Sequence, residues 1–112
     1  MIFTESLKKN SDFQLVFKKG KSKANKHFIM YILKNDSNRN FLGISVSKKV
    51  GNSVIRHRVK RLVKESYRLH ENLFNSGLSI VIIARKGADE LDYHQAENSL
   101  LHLMKLHKAI NQ

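Results

Sequence analysis

Apolar residues follow two rhythms along this chain. From Ser11 to Gly20 they recur at helical spacing, with Phe13, Val16 and Phe17 at i, i+3 and i+4 on one face. Ser11 and Gln14 have the spacing of a capping box, and Gly20 marks the stop, since glycine takes the left-handed conformation cheaply at a helix C-terminus. His27 to Leu33 then switches to strand character, rich in β-branched and aromatic residues. Phe28, Met30 and Ile32 fall on one side, and Ile29, Tyr31 and Leu33 on the other, so both faces are expected to be covered. Phe41 to Ser47 predicts a second strand, antiparallel to the first, after the turn formers of residues 35–40. Leu42, Ile44 and Val46 make its apolar side; Gly43, Ser45 and Ser47 make a small, polar side with room for something to lie on it. Residues 1–10 read as a lead without periodicity, and Lys21, Lys23 and Lys26 as decoration on a polar connection.

The helical rhythm returns after Gly51. Asn52 is a good N-cap, and the helix it opens is predicted to run to about Leu73. Ile55, Val59, Leu62, Ser66, Leu69 and Leu73 form its expected buried stripe. Arg56, Lys60, Arg61, Lys64 and Arg68 fall opposite, with Arg58 nearer the border. Residues 79–84 (SIVIIA) are a nearly continuous apolar run, as in a strand covered on both faces and parallel to an earlier one. Asp92 and Gln95 again have capping-box spacing, and the last helix is expected to bury Ala96, Leu100, Leu103, Met104 and His107, with Leu101 flanking.

Composition narrows the class. At 112 residues, 41% apolar and 8% aromatic, the chain suits one globular domain spanning 1–112. It has no cysteine, which excludes disulfides and thiolate chemistry and fits a reducing, cytoplasmic setting. No stretch is apolar enough to span a bilayer, and MIFTESLKKNSDF does not look like a secretion signal, so no membrane association is expected. The net charge of +12 points to a polyanion. Its focus is residues 43–68, which hold Lys48, Lys49, Arg56, Arg58, Lys60, Arg61, Lys64 and Arg68 against the single acid Glu65. Arg56, Lys60 and Lys64 stack like charges at i, i+4, an arrangement that an anionic partner would relieve. A membrane-surface or calcium-sensor helix is the competing use of such a segment, but here the apolar stripe is needed for the protein's own core.

Catalytic chemistry is poorly encoded. The six histidines are scattered, serine has no evident His/Asp partner, and there is no Gly-rich phosphate loop. Asp89, Glu90 and Asp92 are explained by the N-terminus of the last helix more simply than by magnesium. Neither a catalytic group nor a bound metal or cofactor is expected on the protein. Phe13 and Phe17 have two open readings at this point, core packing or a rim that stacks on bases.

The segment KKVGNSVIRHRVKRLVK, Lys48 to Lys64, resembles the protein component of bacterial ribonuclease P. That family carries a signature of the form K-K-x-G-N-A-V-x-R-N-R-x-K-R, matched at Lys48, Lys49, Gly51, Asn52, Val54, Arg56, Arg58, Lys60 and Arg61. The likeness extends to DFQLVFKKG, HFIMYIL, LGISVSKKVGN and IVIIARKGA. Two positions depart: His57 stands where the family has Asn, and Ser53 where it has Ala. An imidazole at His57 still donates one hydrogen bond, so the role is expected to be kept but weakened or made pH-sensitive.

The resemblance implies an α+β fold: a two-layer sandwich with a central, mostly antiparallel sheet of about four strands, three helices, and a left-handed βαβ crossover carrying the basic helix. It implies a cytoplasmic subunit of a ribonucleoprotein endonuclease whose partners are the ribonuclease P RNA and precursor tRNA, with no obligate protein partner. The RNA would carry the hydrolysis that removes the 5′ leader, using magnesium that the holoenzyme requires. Lys48, Lys49, Asn52, Arg56, His57, Arg58, Lys60, Arg61, Lys64 and Arg68 would form the RNA-binding helix and its approach. Phe13, Phe17, Tyr31, Ser45 and Ser47 would line a cleft for the single-stranded leader. The alternative is a general RNA- or DNA-binding module with no part in cleavage.

Overall fold

The computed structural model describes residues 4–109, so the expectation for residues 1–3 of the lead lies outside the described residues. Five strands form one sheet: β1 (Thr4–Ser6), β2 (Lys21–Ala24), β3 (Phe28–Lys34), β4 (Asn40–Val46) and β5 (Leu78–Ala84), in the order β1-β4-β5-β3-β2. Three α-helices join them: α1 (Asn10–Lys19), α2 (Ser53–His70) and α3 (Tyr93–Leu106). The α+β class stands as expected. The three apolar strands expected from the sequence are all present, and two polar edge strands join them, giving five in all rather than about four. Pairing is evenly split: β1–β4 and β4–β5 are parallel, β2–β3 and β3–β5 antiparallel.

The unforeseen strands are the two edges. Thr4–Ser6 runs beside Asn40–Leu42, and Lys21–Ala24 folds back on Ile29–Ile32. Each has at most one buried residue, so neither carries the alternation that marks a half-buried strand. β4 does run opposite to β3, but β5 lies between them and pairs with both.

Period-2 alternation sorts the layers. Phe28, Met30, Leu42, Val46, Ile80 and Ile82 point into the main core with Val59, Val63 and Tyr67 of α2 and Ala96, Leu100, Leu103 and Met104 of α3. α1 lies across β3 and β5 on the opposite face, where Val16 and Val81 are both buried. The sandwich of sheet against α2 and α3 thus gains a partial third layer from α1.

Local signals behave unevenly. Asn52 caps α2, its side-chain oxygen accepting from the Ile55 amide at 3.0 Å. Asp92 and Gln95 form the complete capping box of α3. The box expected at Ser11 and Gln14 does not form: the N-cap is Lys9, two residues before Ser11, and it makes no side-chain cap. Gly20 does follow α1, though in extended rather than left-handed conformation. Its role is close approach, since a Cβ there would stand 2.5 Å from the Val16 carbonyl oxygen and 3.1 Å from that of Ile32.

α2 is rotated relative to the expected stripe. Val59, Val63, Ser66 and Tyr67 are buried, whereas Leu69 and Leu73 are 49% and 37% exposed. A 4-3-4-3 repeat averages 3.5 residues and drifts around a straight helix of 3.6. Over this length the core-facing line moves from the Leu62 side to Val63 and Tyr67. The Tyr67 hydroxyl then meets Thr4 Oγ1 at 2.6 Å and accepts from Asn40 Nδ2 at 3.5 Å. Asn40 also donates to the Asn75 carbonyl and accepts from the Leu78 amide, so this buried network joins β1, β4, α2 and β5.

Two stability predictions follow from buried polar contacts. Tyr67→Phe leaves the Thr4 hydroxyl and Asn40 amide short of a partner and should cost about 1–3 kcal/mol in urea unfolding; an unchanged midpoint would remove the network from the account. The second concerns His107, whose Nε2 donates to the Met30 carbonyl at 2.7 Å. Burial lowers its pKa, against the raising effect of that hydrogen bond. The unfolded chain therefore holds the proton more tightly, and stability falls as pH drops through the ordinary histidine value of about 6.5. Across about one pH unit on either side of that value of about 6.5, Tm of the native protein should decline more steeply with falling pH than that of His107→Gln.

Candidate nucleic-acid interface

The outer side of α2 is a cationic ridge. Lys60, Arg61 and Lys64 are exposed, and among the described residues none of them has an acid within ion-pair distance. Arg68 differs, because its guanidinium is doubly bonded to Glu65 one turn back. That contact lowers the Glu65 pKa and raises that of Arg68, so the pair stays charged. Arg58 is also committed: it donates to the Asp89 carbonyl at 3.0 Å and to the Leu91 carbonyl at 2.7 Å, which ties α2 to the segment before α3. Arg56 is half-buried, and its Nε has no hydrogen-bond partner among the described residues. His57 is exposed on the β4 side of the ridge.

Lys48 and Lys49 lie exposed in the turn between β4 and α2. Ser47 belongs to that turn rather than to the strand, its Oγ accepting from the Lys49 amide at 3.3 Å. Ser45 remains on β4, half-buried and paired with Ile83 on the α1 side of the sheet.

The aromatics of the expected cleft are brought together. Phe17 meets Tyr31 edge-on with centroids 5.0 Å apart, and Phe13 follows at 6.4 Å from Phe17. Phe13 also settles the use of the small floor: a Cβ on Gly43 would stand 2.5 Å from its ring. The space left by Gly43 is therefore occupied by Phe13.

Two grooves flank the ridge. One, of about 300 Å³, runs between Phe13, Gly43 and Ile44 on one side and His57, Lys60, Arg61 and Lys64 on the other. It joins the aromatic cluster to the basic helix, so the two surfaces expected from the sequence meet at Phe13. The other, of about 490 Å³, lies between α2 and the start of α3, with Arg58, Arg61, Lys64, Glu65 and Arg68 facing Tyr93. Tyr93 was not among the residues singled out from the sequence. The sequence shows only its place directly after the N-cap Asp92; that it faces the basic helix is decided by the fold.

The described residues contain no group of three or more His, Asp or Glu side chains placed to hold a metal ion. None of their helices is long and apolar enough to cross a membrane. The arrangement is suited to binding an extended anion, with unpaired cations along a helix and aromatic faces on either flank.

Residues 1–108 match the family described as Ribonuclease P. A protein of Lachnoclostridium phytofermentans named Ribonuclease P protein component is 56% identical over 108 residues, covering 96% of this chain and 93% of that one. One of the same name from Alkaliphilus metalliredigens is 52% identical over 105 residues, covering 94% and 95%. The solved RNase P protein of Staphylococcus aureus superposes with a TM-score of 0.88 at 41% identity, covering 95% of this chain and 97% of that one. By the match along almost its whole length, in sequence and in fold, the chain belongs to the Ribonuclease P protein family.

Proposed function

We propose that this protein is the RNA-binding subunit of a ribonuclease P ribonucleoprotein and assists removal of the 5′ leader from precursor tRNA. The observation that carries the reading is the ridge of Lys60, Arg61 and Lys64, unpaired and aligned beside an aromatic cluster, within a chain of this family. In this reading the ridge, with Arg56, His57 and the Lys48–Lys49 turn at its foot, takes phosphates of the ribonuclease P RNA. Phe17 and Tyr31, with Phe13 at the junction, take unpaired bases of the leader. Stacking serves that purpose because every base has a π-face, so many leader sequences are accommodated. Hydrolysis belongs to the RNA and its magnesium ions; the protein's part is to hold the substrate strand and screen its charge beside them. The cytoplasm is the expected compartment. A general RNA- or DNA-binding module is the competing reading, and it makes no claim on tRNA processing.

The deciding experiment adds the protein to a bacterial ribonuclease P RNA with precursor tRNA at low magnesium. Restored 5′ processing is expected; folded protein without any rescue would sink the proposal.

Two substitutions separate the surfaces. Phe17→Ala should weaken binding of precursor tRNA by roughly 5- to 150-fold, from the loss of about 1–3 kcal/mol of stacking, and leave mature tRNA unchanged. Lys64→Ala should weaken the ribonuclease P RNA complex and reduce the log–log salt slope by about 1. Lys64 is a cleaner choice than Arg58, whose replacement would also free the segment before α3. Equal effects of both variants on both ligands would refute the division.

A further inference from the structure

The groove between α2 and α3 has features that a phosphate-binding ridge does not require. Tyr93 forms its far wall, opposite Arg61 and Lys64. The ring is held from three directions. Its hydroxyl donates to Glu97 Oε2 at 3.2 Å, and that carboxylate is held in turn by His70 Nε2 at 2.9 Å. The backbone beneath it is fixed by the Asp92–Gln95 capping box. The preceding segment is fixed by the two carbonyl bonds from Arg58. Such a ring loses little rotamer freedom when a ligand covers it.

We infer that this groove takes one unpaired nucleotide of an RNA, with the base on the Tyr93 ring and the flanking phosphates on Arg61 and Lys64. The inference rests on the reading of α2 as an RNA-binding helix and adds a stacking site on the side away from the leader aromatics. Charge selects the ligand's backbone: Arg61 and Lys64 have no acid in reach among the described residues, while Glu65 is taken by Arg68 at the groove's end. The aromatic wall selects an exposed base, because a base inside a duplex offers no free face. An acidic peptide would satisfy the cations but leave the fixed ring without a role. The volume of about 490 Å³ lies within the range of small-ligand clefts, about 300–1,000 Å³.

The chain has no tryptophan, so Tyr93→Trp places a single indole reporter in the groove. Its emission should be quenched on titration with a bacterial ribonuclease P RNA and saturate at stoichiometric RNA. In filter binding, Tyr93→Leu should raise Kd about 5- to 100-fold with an unchanged salt slope, because a stack is lost and no phosphate contact is. Tyr93→Phe, which keeps the ring but frees it from Glu97, should bind much more tightly than Tyr93→Leu. An unquenched indole in a complex that forms normally, with Tyr93→Leu binding as tightly as native protein, overturns the stacking site and leaves the RNA-binding ridge standing. Native protein that does not bind the RNA at all defeats the reading beneath it. Quenching by a blunt-ended, fully paired RNA duplex equal to that by the ribonuclease P RNA would also overturn it, since the site would not require an exposed base.

Discussion

The rotation of α2 about its own axis is the constraint on which the rest depends. Adjacent helical residues are about 100° apart, so a turn by one position would carry Lys60 or Lys64 toward the sheet. Two polar ties oppose this, one near each end. At the far end the Tyr67 hydroxyl is seated between Thr4 and Asn40 inside the core. Near the beginning, Arg58 grips the carbonyls of Asp89 and Leu91. Between them Val59, Val63 and Ser66 face inward, and every unpaired cation of the ridge faces out.

That geometry lets a small domain tolerate concentrated charge. Lys60 and Lys64 are like charges one turn apart, with Arg61 beside them, and each such contact is mildly unfavourable. The helix is retained because Val59, Val63, Ser66 and Tyr67 on its other side are buried, and burial of its apolar side chains is a much larger contribution per residue. The one acid on the helix serves Arg68 locally and leaves the middle of the ridge uncompensated. The potential of the ridge is therefore available to an anionic partner, and it is sensitive to salt.

What could be read from the sequence was what short-range chemistry decides. β3, β4 and β5 announced themselves by β-branched and alternating residues, and Asn52 and Asp92 announced the starts of α2 and α3. The basic motif and the three aromatics were legible as residues, and the fold does bring Phe13, Phe17 and Tyr31 together. What was not legible depends on partners distant in sequence. β1 and β2 are polar edges whose only strand signal is the neighbour they pair with. The insertion of β5 between β3 and β4 has no local mark at all. Burial of Tyr67 instead of Leu69 follows the drift of the helix and is secured by a hydroxyl network that reaches Thr4, a partner distant in sequence. The Gly43 floor was correctly seen as space, but its occupant is the protein's own Phe13.

The strand order has a consequence for synthesis. β5 is the centre of the sheet, yet it is the last strand to be made. β3 and β4 share no ladder and are joined only through it. A nascent chain that has emerged only through α2 thus carries a complete cationic helix without a sheet to rest on. Its apolar strands wait in the open until residues 78–84 leave the ribosome, itself an RNA-rich particle. Folding of this polycation and its first encounters with nucleic acid are set to begin in the same place and at the same time.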